Sequence, residues 1–187
     1  MRKSLTAATA TVLACLCLTA VGAFARQIEP QRRARELADF FSKSKHEVRE
    51  RRGVRFEKFK DVRSEPLVKA DARDYSGTYE AEYGCALSVA VGADGRADVT
   101  GCEPTSDLSR PRKFTLRNAR VAGALLTGTK VYDDGATVEF EGVFINRTER
   151  NSPSDAGTTT FGLGTVFNPP QVGESFVMTR LFYALKR

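Results

Sequence analysis

The sequence predicts a mainly β protein: an antiparallel meander of about eight strands, closed or strongly curved into a barrel, preceded by an N-terminal amphipathic helix. Three observations predict it. Apolar residues recur at spacings of three and four before residue 75 and at a spacing of two after it. Turn sequences such as Ala93-Asp94-Gly95 and Asp134-Gly135 separate the alternating runs. The strand–helix–strand alternation of a parallel sheet does not occur.

The chain starts with a positive Arg2-Lys3, followed by an uncharged stretch from Leu5 to Val21. Ala23-Phe24-Ala25 then places small residues at the two positions a signal peptidase inspects. Residues 1–25 read as a secretory signal, so the expected location is periplasmic or secreted, in a bacterial envelope. Val12-Leu13-Ala14-Cys15 resembles a lipobox, but the apolar stretch continues well past Cys15. Cleavage near Ala25 removes Cys15 and Cys17 and leaves Cys85 and Cys102 in an oxidising compartment. A single disulfide between them is the inference, closing a loop of about 18 residues and contributing about 3 kcal/mol. With one histidine, His46, and no Cys-x-x-Cys pair, the usual zinc sites are not expected.

The net charge of +6 is unevenly distributed. Residues 26–73 hold 15 Lys/Arg against 9 Asp/Glu, whereas residues 74–187 hold 12 against 14. The expected organisation is a basic helical segment over 26–73 and an antiparallel β domain over 74–187. Within the first, Ala34, Leu37, Ala38, Phe41, Ser44 and Val48 form one stripe, predicting a helix from Pro30 to Arg52 with Gly53 just past its end. Phe56, Phe59 and Val62 suggest a second amphipathic piece, which Pro66 ends.

From Tyr75 the period is two. Ala93-Asp94-Gly95 predicts a three-residue hairpin loop that sets Val89 opposite Val99 and Val91 opposite Ala97. This register places Cys85 and Cys102 on opposite faces, so the disulfide requires a bulge near Gly101 or a longer loop. Phe114 to Val121 reads as a strand with a turn at Ala122-Gly123. Asp134-Gly135 predicts a two-residue type I′ turn, setting Val131 opposite Val138, Thr129 opposite Phe140 and Lys130 opposite Glu139 on the outer face. Arg147 to Gly157 reads as an exposed loop. Strands follow near 158–168 and 175–186, the last apolar on both faces and therefore covered on both.

Candidate chemistry is sparse. Glu139 and Glu141 share a strand face with carboxyls about 7 Å apart, a spacing compatible with glycoside hydrolysis; a polar outer face is the simpler reading. His46 lies between Lys45 and Glu47, and no Gly-x-Ser-x-Gly elbow exists, so no catalytic residue is assigned. Gly162 and Gly164 bare one strand face and allow close approach by a helix. Arg32, Arg33, Arg35, Arg49, Arg51, Arg52 and Arg55 offer an anionic surface a basic helix, interleaved with acids.

Residues 132–144, Tyr-Asp-Asp-Gly-Ala-Thr-Val-Glu-Phe-Glu-Gly-Val-Phe, resemble one MORN repeat. Thr127-Gly128-Thr129-Lys130-Val131-Tyr132 followed by Gly135 is similar to the signature of periplasmic lysozyme inhibitors of the membrane-bound C-type family, with Thr127 where that motif has serine. That resemblance implies a small β-barrel presenting Lys130, Tyr132, Asp133 and Asp134 as an interaction turn.

The first functional expectation is an exported, non-enzymatic binding domain without cofactor or metal, taking an apolar small molecule or a protein partner. An inhibitor of an envelope hydrolase such as lysozyme is the second. A carbohydrate-active enzyme using Glu139 and Glu141 is the third. Expected partners are an apolar small molecule, an envelope protein, or an anionic surface met by the basic N-terminal helix; nucleic acid is not expected.

Overall fold

A computed structural model describes residues 29–81, 84–104, 111–167 and 179–186. The expected signal, residues 1–25, lies outside the described residues. The described residues form one helix, α1 (residues 29–39), a hairpin of β1 (Lys43–Arg51) and β2 (Val54–Pro66), a 3₁₀ turn (Ala72–Tyr75), and then a meander. The meander strands are β3 (Gly77–Glu80), β4 (Ala86–Val91), β5 (Ala97–Glu103), β6 (Arg112–Ala122), β7 (Leu125–Tyr132), β8 (Thr137–Arg150), β9 (Thr158–Phe167) and β10 (Thr179–Leu185). Each pairs antiparallel with the next, and β10 returns to β3, closing an eight-strand barrel as the alternating pattern predicts.

The barrel is filled. Inward residues from all eight strands, among them Tyr79, Leu87, Val99, Phe114, Leu126, Phe144, Leu163 and Tyr183, form one buried cluster. Full closure removes sheet edges from this part of the molecule. A second, smaller core lies outside the barrel, where α1 covers β8, β9 and β10. Ala34, Leu37, Ala38 and Phe41 meet Leu125, Val143 and Ile145 there, with Val166 and Phe182 at the margin. Gly164 makes this approach possible: a Cβ there would stand 2.7 Å from the Phe41 ring. Phe182 faces α1 while Tyr183 faces the barrel interior, so β10 is covered on both sides as its composition requires.

Several local expectations are corrected. The helix predicted for Pro30 to Arg52 ends at residue 39, closed by tight bonds from Phe40, Phe41 and Ser42 to the carbonyls of Leu37, Ala38 and Asp39. The apolar stripe is genuine as far as Phe41; Ser44 and Val48, which seemed to continue it, are exposed. Residues 43–66, expected to be helical, form β1 and β2, joined by Arg52-Gly53 with both residues at positive φ, 55° and 73°. That is a type I′ turn, so Gly53 caps a hairpin and not a helix. β2 then pairs with the far half of β8, Asp61 opposite Arg150 through Pro66 opposite Ile145. Segment 26–73 is thus continuous with the sheet of the segment that follows it. The same pairing turns Arg147–Arg150, expected in a loop, into strand, with residues 147–149 flanked on both sides.

The predicted register about Ala93-Asp94-Gly95 is the observed one: Val89 faces Val99, Val91 faces Ala97, and Gly95 takes φ 79°. About Asp134-Gly135 the predicted register is wrong by one residue. Only Gly135 has positive φ, 82°; its N–H donates to the Tyr132 carbonyl, and the Tyr132 N–H donates to the Ala136 carbonyl. The loop is therefore three residues, a type I turn with glycine at the left-handed position. Lys130 faces Val138, Thr129 faces Glu139 and Val131 faces Thr137. One residue of slip exchanges the faces of a strand, which decides where the predicted site residues lie.

Candidate functional site

Lys130 and Tyr132, expected on an outward interaction turn, point into the barrel, 2 % and 5 % exposed. Asp133 and Asp134 remain at the surface, where Asp134 accepts from Arg112 at 2.7 Å and from the Ala136 N–H at 2.9 Å. Those two bonds, the backbone one first, hold the Asp134 carboxyl below the usual carboxylate range. Glu139 and Glu141 lie on the outside of β8. Glu139 accepts from Thr129 Oγ1 at 3.2 Å, and Glu141 is bonded to Arg33 of α1 at 2.5 Å. The two carboxylates thus serve a cross-strand contact and a helix anchor. His46 Nε2 stands 2.7 Å from Glu57 in the exposed hairpin.

Inside the barrel, Lys130 Nζ donates to Glu103 and Tyr132 Oη donates to the other oxygen of the same carboxylate at 2.7 Å. The ammonium lies over the rings of Phe114 and Phe140, 4.6 and 5.3 Å from their centroids. Arg112, opposite Glu103 on the neighbouring strand, covers the Tyr132 ring at 3.6 Å. Burial lowers the Lys130 pKa, opposed by the Glu103 charge. Burial, then donation to Glu103, raises that of Tyr132. A lysine with lowered pKa is a familiar sign of chemistry. Here it is enclosed and charge-paired, and the arrangement ties β5 to β7 across the interior.

Cys85 precedes β4 and is buried; Cys102 lies within β5 and is half-buried. The register of β4 and β5 runs unshifted to Leu87 opposite Gly101. Because Cys85 stands outside that ladder, strand parity does not hold it away, and the thiols lie near each other unbonded. Burial, then the neighbouring Cys102, pushes the Cys85 thiol up to about 12. Among the described residues no three His, Cys, Asp or Glu side chains converge to hold a metal.

A cleft of about 600 Å³ lies outside the barrel. Its walls are α1 (Gln31, Ala34, Arg35, Asp39), the end of β2 (Ser64, Glu65, Pro66), Val68, and Ala124 of the β6–β7 turn. Tyr75 fixes the Val68 wall: its hydroxyl donates to the Leu67 carbonyl at 2.9 Å and accepts from the Lys69 N–H at 2.7 Å. The Tyr75 ring stacks on Phe144, 4.3 Å between centroids. Ser64 lines the cleft, is 6 % exposed, and its Oγ has no hydrogen-bond partner among the described residues. An unpaired buried hydroxyl costs about 1–3 kcal/mol, a cost that a hydrogen-bonding ligand removes. Sequence reasoning assigned no role to Ser64, Val68 or Glu103; the cleft and the ion pair are assembled from positions far apart in the chain.

Comparison with family models, with curated proteins and with solved structures returns no match. The functional reading therefore rests on the geometry.

Proposed function

We propose that this chain is an exported, non-enzymatic binding domain that takes a small ligand in the cleft between α1 and β2. The observation carrying this reading is the unpartnered Ser64 hydroxyl in the wall of a cleft whose volume falls in the range of small-molecule sites. The filled barrel interior argues against an internal ligand chamber, so a ligand must be held outside. The lining combines Ala34, Pro66, Val68 and Ala124 with Gln31, Arg35, Asp39, Ser64 and Glu65, which suits an apolar body carrying several hydrogen-bonding groups.

The test is native mass spectrometry of protein recovered from an exporting host. A bound mass that is lost on solvent extraction, and absent from Gln31→Trp, supports the cleft. An identical bound mass on the Gln31→Trp protein, or none on any preparation, overturns it.

Export itself is part of the proposal and is supported by residues 1–25. In an oxidising compartment Cys85 and Cys102 lose two protons and two electrons to the compartment's disulfide-forming oxidant and become one disulfide. The exported chain should then begin at Arg26 and weigh two hydrogens less than its reduced form. An N-terminus at Met1 with all four cysteines alkylatable overturns both statements.

A further inference from the structure

We infer that the β1–β2 hairpin is an arm that docks on an anionic phospholipid surface. This goes beyond the ligand cleft but rests on the export reading, which places the chain among membranes. The backbone ladder from the barrel to β2 covers residues 61–66. Residues 43–60 continue as a two-stranded ribbon that projects about 23 Å beyond the stretch paired with β8, the unpaired edge of β1 on its outside. Isolated two-stranded ribbons are marginal in water, so a ribbon of this length suits a partner.

Its charge points to that partner. Residues 43–60 hold eight Lys/Arg against three Glu, a net of +5. α1, expected to be the basic element, holds three of each, and its Arg32 and Arg33 are paired with Glu29, Glu36 and Glu141. The positive charge of the N-terminal segment is thus gathered on the ribbon. The pairing sorts it further: Lys43, Lys45, Arg49, Lys58 and Lys60 share one face with one acid of the ribbon, Glu47, which pairs with Lys45 and Arg49, while Lys60 reaches Glu149 of β8. Lys45 is directly opposite Lys60; each has one carboxylate beside it, Glu47 at 2.8 Å and Glu149 at 3.5 Å, and a sheet of phosphates offsets the like-charge juxtaposition further. At the tip of that face Val54 is 53 % exposed. An exposed valine among cations matches a headgroup region with hydrocarbon beneath it better than the rails of a nucleic-acid groove. Among the described residues no helix is long and apolar enough to cross a membrane.

The experiment is co-sedimentation of the processed protein with phosphatidylglycerol vesicles and with phosphatidylcholine vesicles. Binding to the anionic vesicles alone is expected, with loss near 1 M salt, where the screening length is about 3 Å. The double variant Lys45→Gln/Lys58→Gln should lower the partition coefficient about 30-fold, taking about tenfold per 1.4 kcal/mol and about 1 kcal/mol per cation. Val54→Ser should lower it while the salt dependence persists. Gln31→Trp should leave it unchanged, which separates this surface from the cleft. Equal binding to both vesicles, no effect of the double variant with its fold intact by circular dichroism, or preferential capture by duplex DNA would each overturn the inference.

Discussion

Replacing Lys130 with methionine removes a buried cation and leaves the Glu103 carboxylate, 7 % exposed, with the Tyr132 hydroxyl and no ammonium. The attraction between charges about 3 Å apart at an effective dielectric of about 20 is roughly 5 kcal/mol, against a desolvation cost of several kcal/mol for each ion. The pair is therefore close to neutral as a unit, whereas removing one member strands the other. Lys130→Met should destabilise the protein by about 3–5 kcal/mol, read from urea midpoints at constant slope, and Glu103→Leu by a similar amount. Combining the two substitutions should recover part of the loss, because no charge is then stranded, although the Tyr132 hydroxyl loses its acceptor. The measurement also fixes the hairpin register. With Lys130 on the outside, opposite Glu139, each single loss would be below about 1 kcal/mol. Losses that small, or a double variant as unstable as the sum of the singles, would refute the buried pair.

Three further outcomes follow from the geometry. Burial raises the pKa of Tyr75, Tyr79, Tyr132 and Tyr183, so these tyrosines should stay protonated above pH 10 until the fold is lost, and phenolate absorbance should rise together with unfolding; independent titration near 10 would contradict their burial. Bonds to Arg73 lower Asp71 to about 2, and Asp61, Asp134 and Asp155 are lowered likewise. Below pH 4 the unfolded chain then binds protons that the native state does not; the stability from these groups, complete above their unfolded pKa, is lost as pH falls from about 4 towards 2, and Asp71→Asn should flatten the fall in urea midpoint. Gly164→Leu should displace Phe41 and detach α1 from the barrel, costing about 1–3 kcal/mol and lowering helical circular dichroism; an unchanged midpoint would contradict the close contact.

The barrel was legible because its strands alternate. Val89, Val91, Ala97 and Val99 fix both the β4–β5 register and its buried face without other information. The β1–β2 hairpin was not legible for two physical reasons. Its strands are dominated by Lys, Arg and Glu, with no apolar face to impose period two, and they follow a true helical stripe whose spacing Ser44 and Val48 continue by coincidence. Its turn is also ambiguous, since glycine at positive φ serves equally past a helix end and in a type I′ turn. The Asp-Gly pair at 134–135 is ambiguous in the same way: two-residue and three-residue loops both place glycine at positive φ, and they differ by one residue of register. An inward Lys130 implies an acid on an inner face, and Glu103 supplies it 27 residues away; no local pattern carries that pairing.

The cleft and the ribbon both descend from β2, and the way β2 is held indicates how far they influence each other. Residues 61–66 are bonded to β8, and the Ser64 N–H donates to Ser42 Oγ, so this stretch is fixed whether or not the ribbon beyond it is engaged. Asp61, at the foot of the ribbon, is bonded to Ser44 and, at 3.2 Å, to Arg63, which locks the two strands where they leave the barrel. A fixed strut transmits little, so docking of the ribbon should leave ligand affinity in the cleft unchanged, and Gln31→Trp should combine additively with Lys45→Gln/Lys58→Gln, within about 0.5 kcal/mol. Coupling beyond that would mean that β2 shifts as a body when the ribbon binds. The Lys60–Glu149 contact, 3.5 Å between β2 and β8, would then be the first to break, and Glu149→Gln should abolish the coupling while leaving each binding event in place.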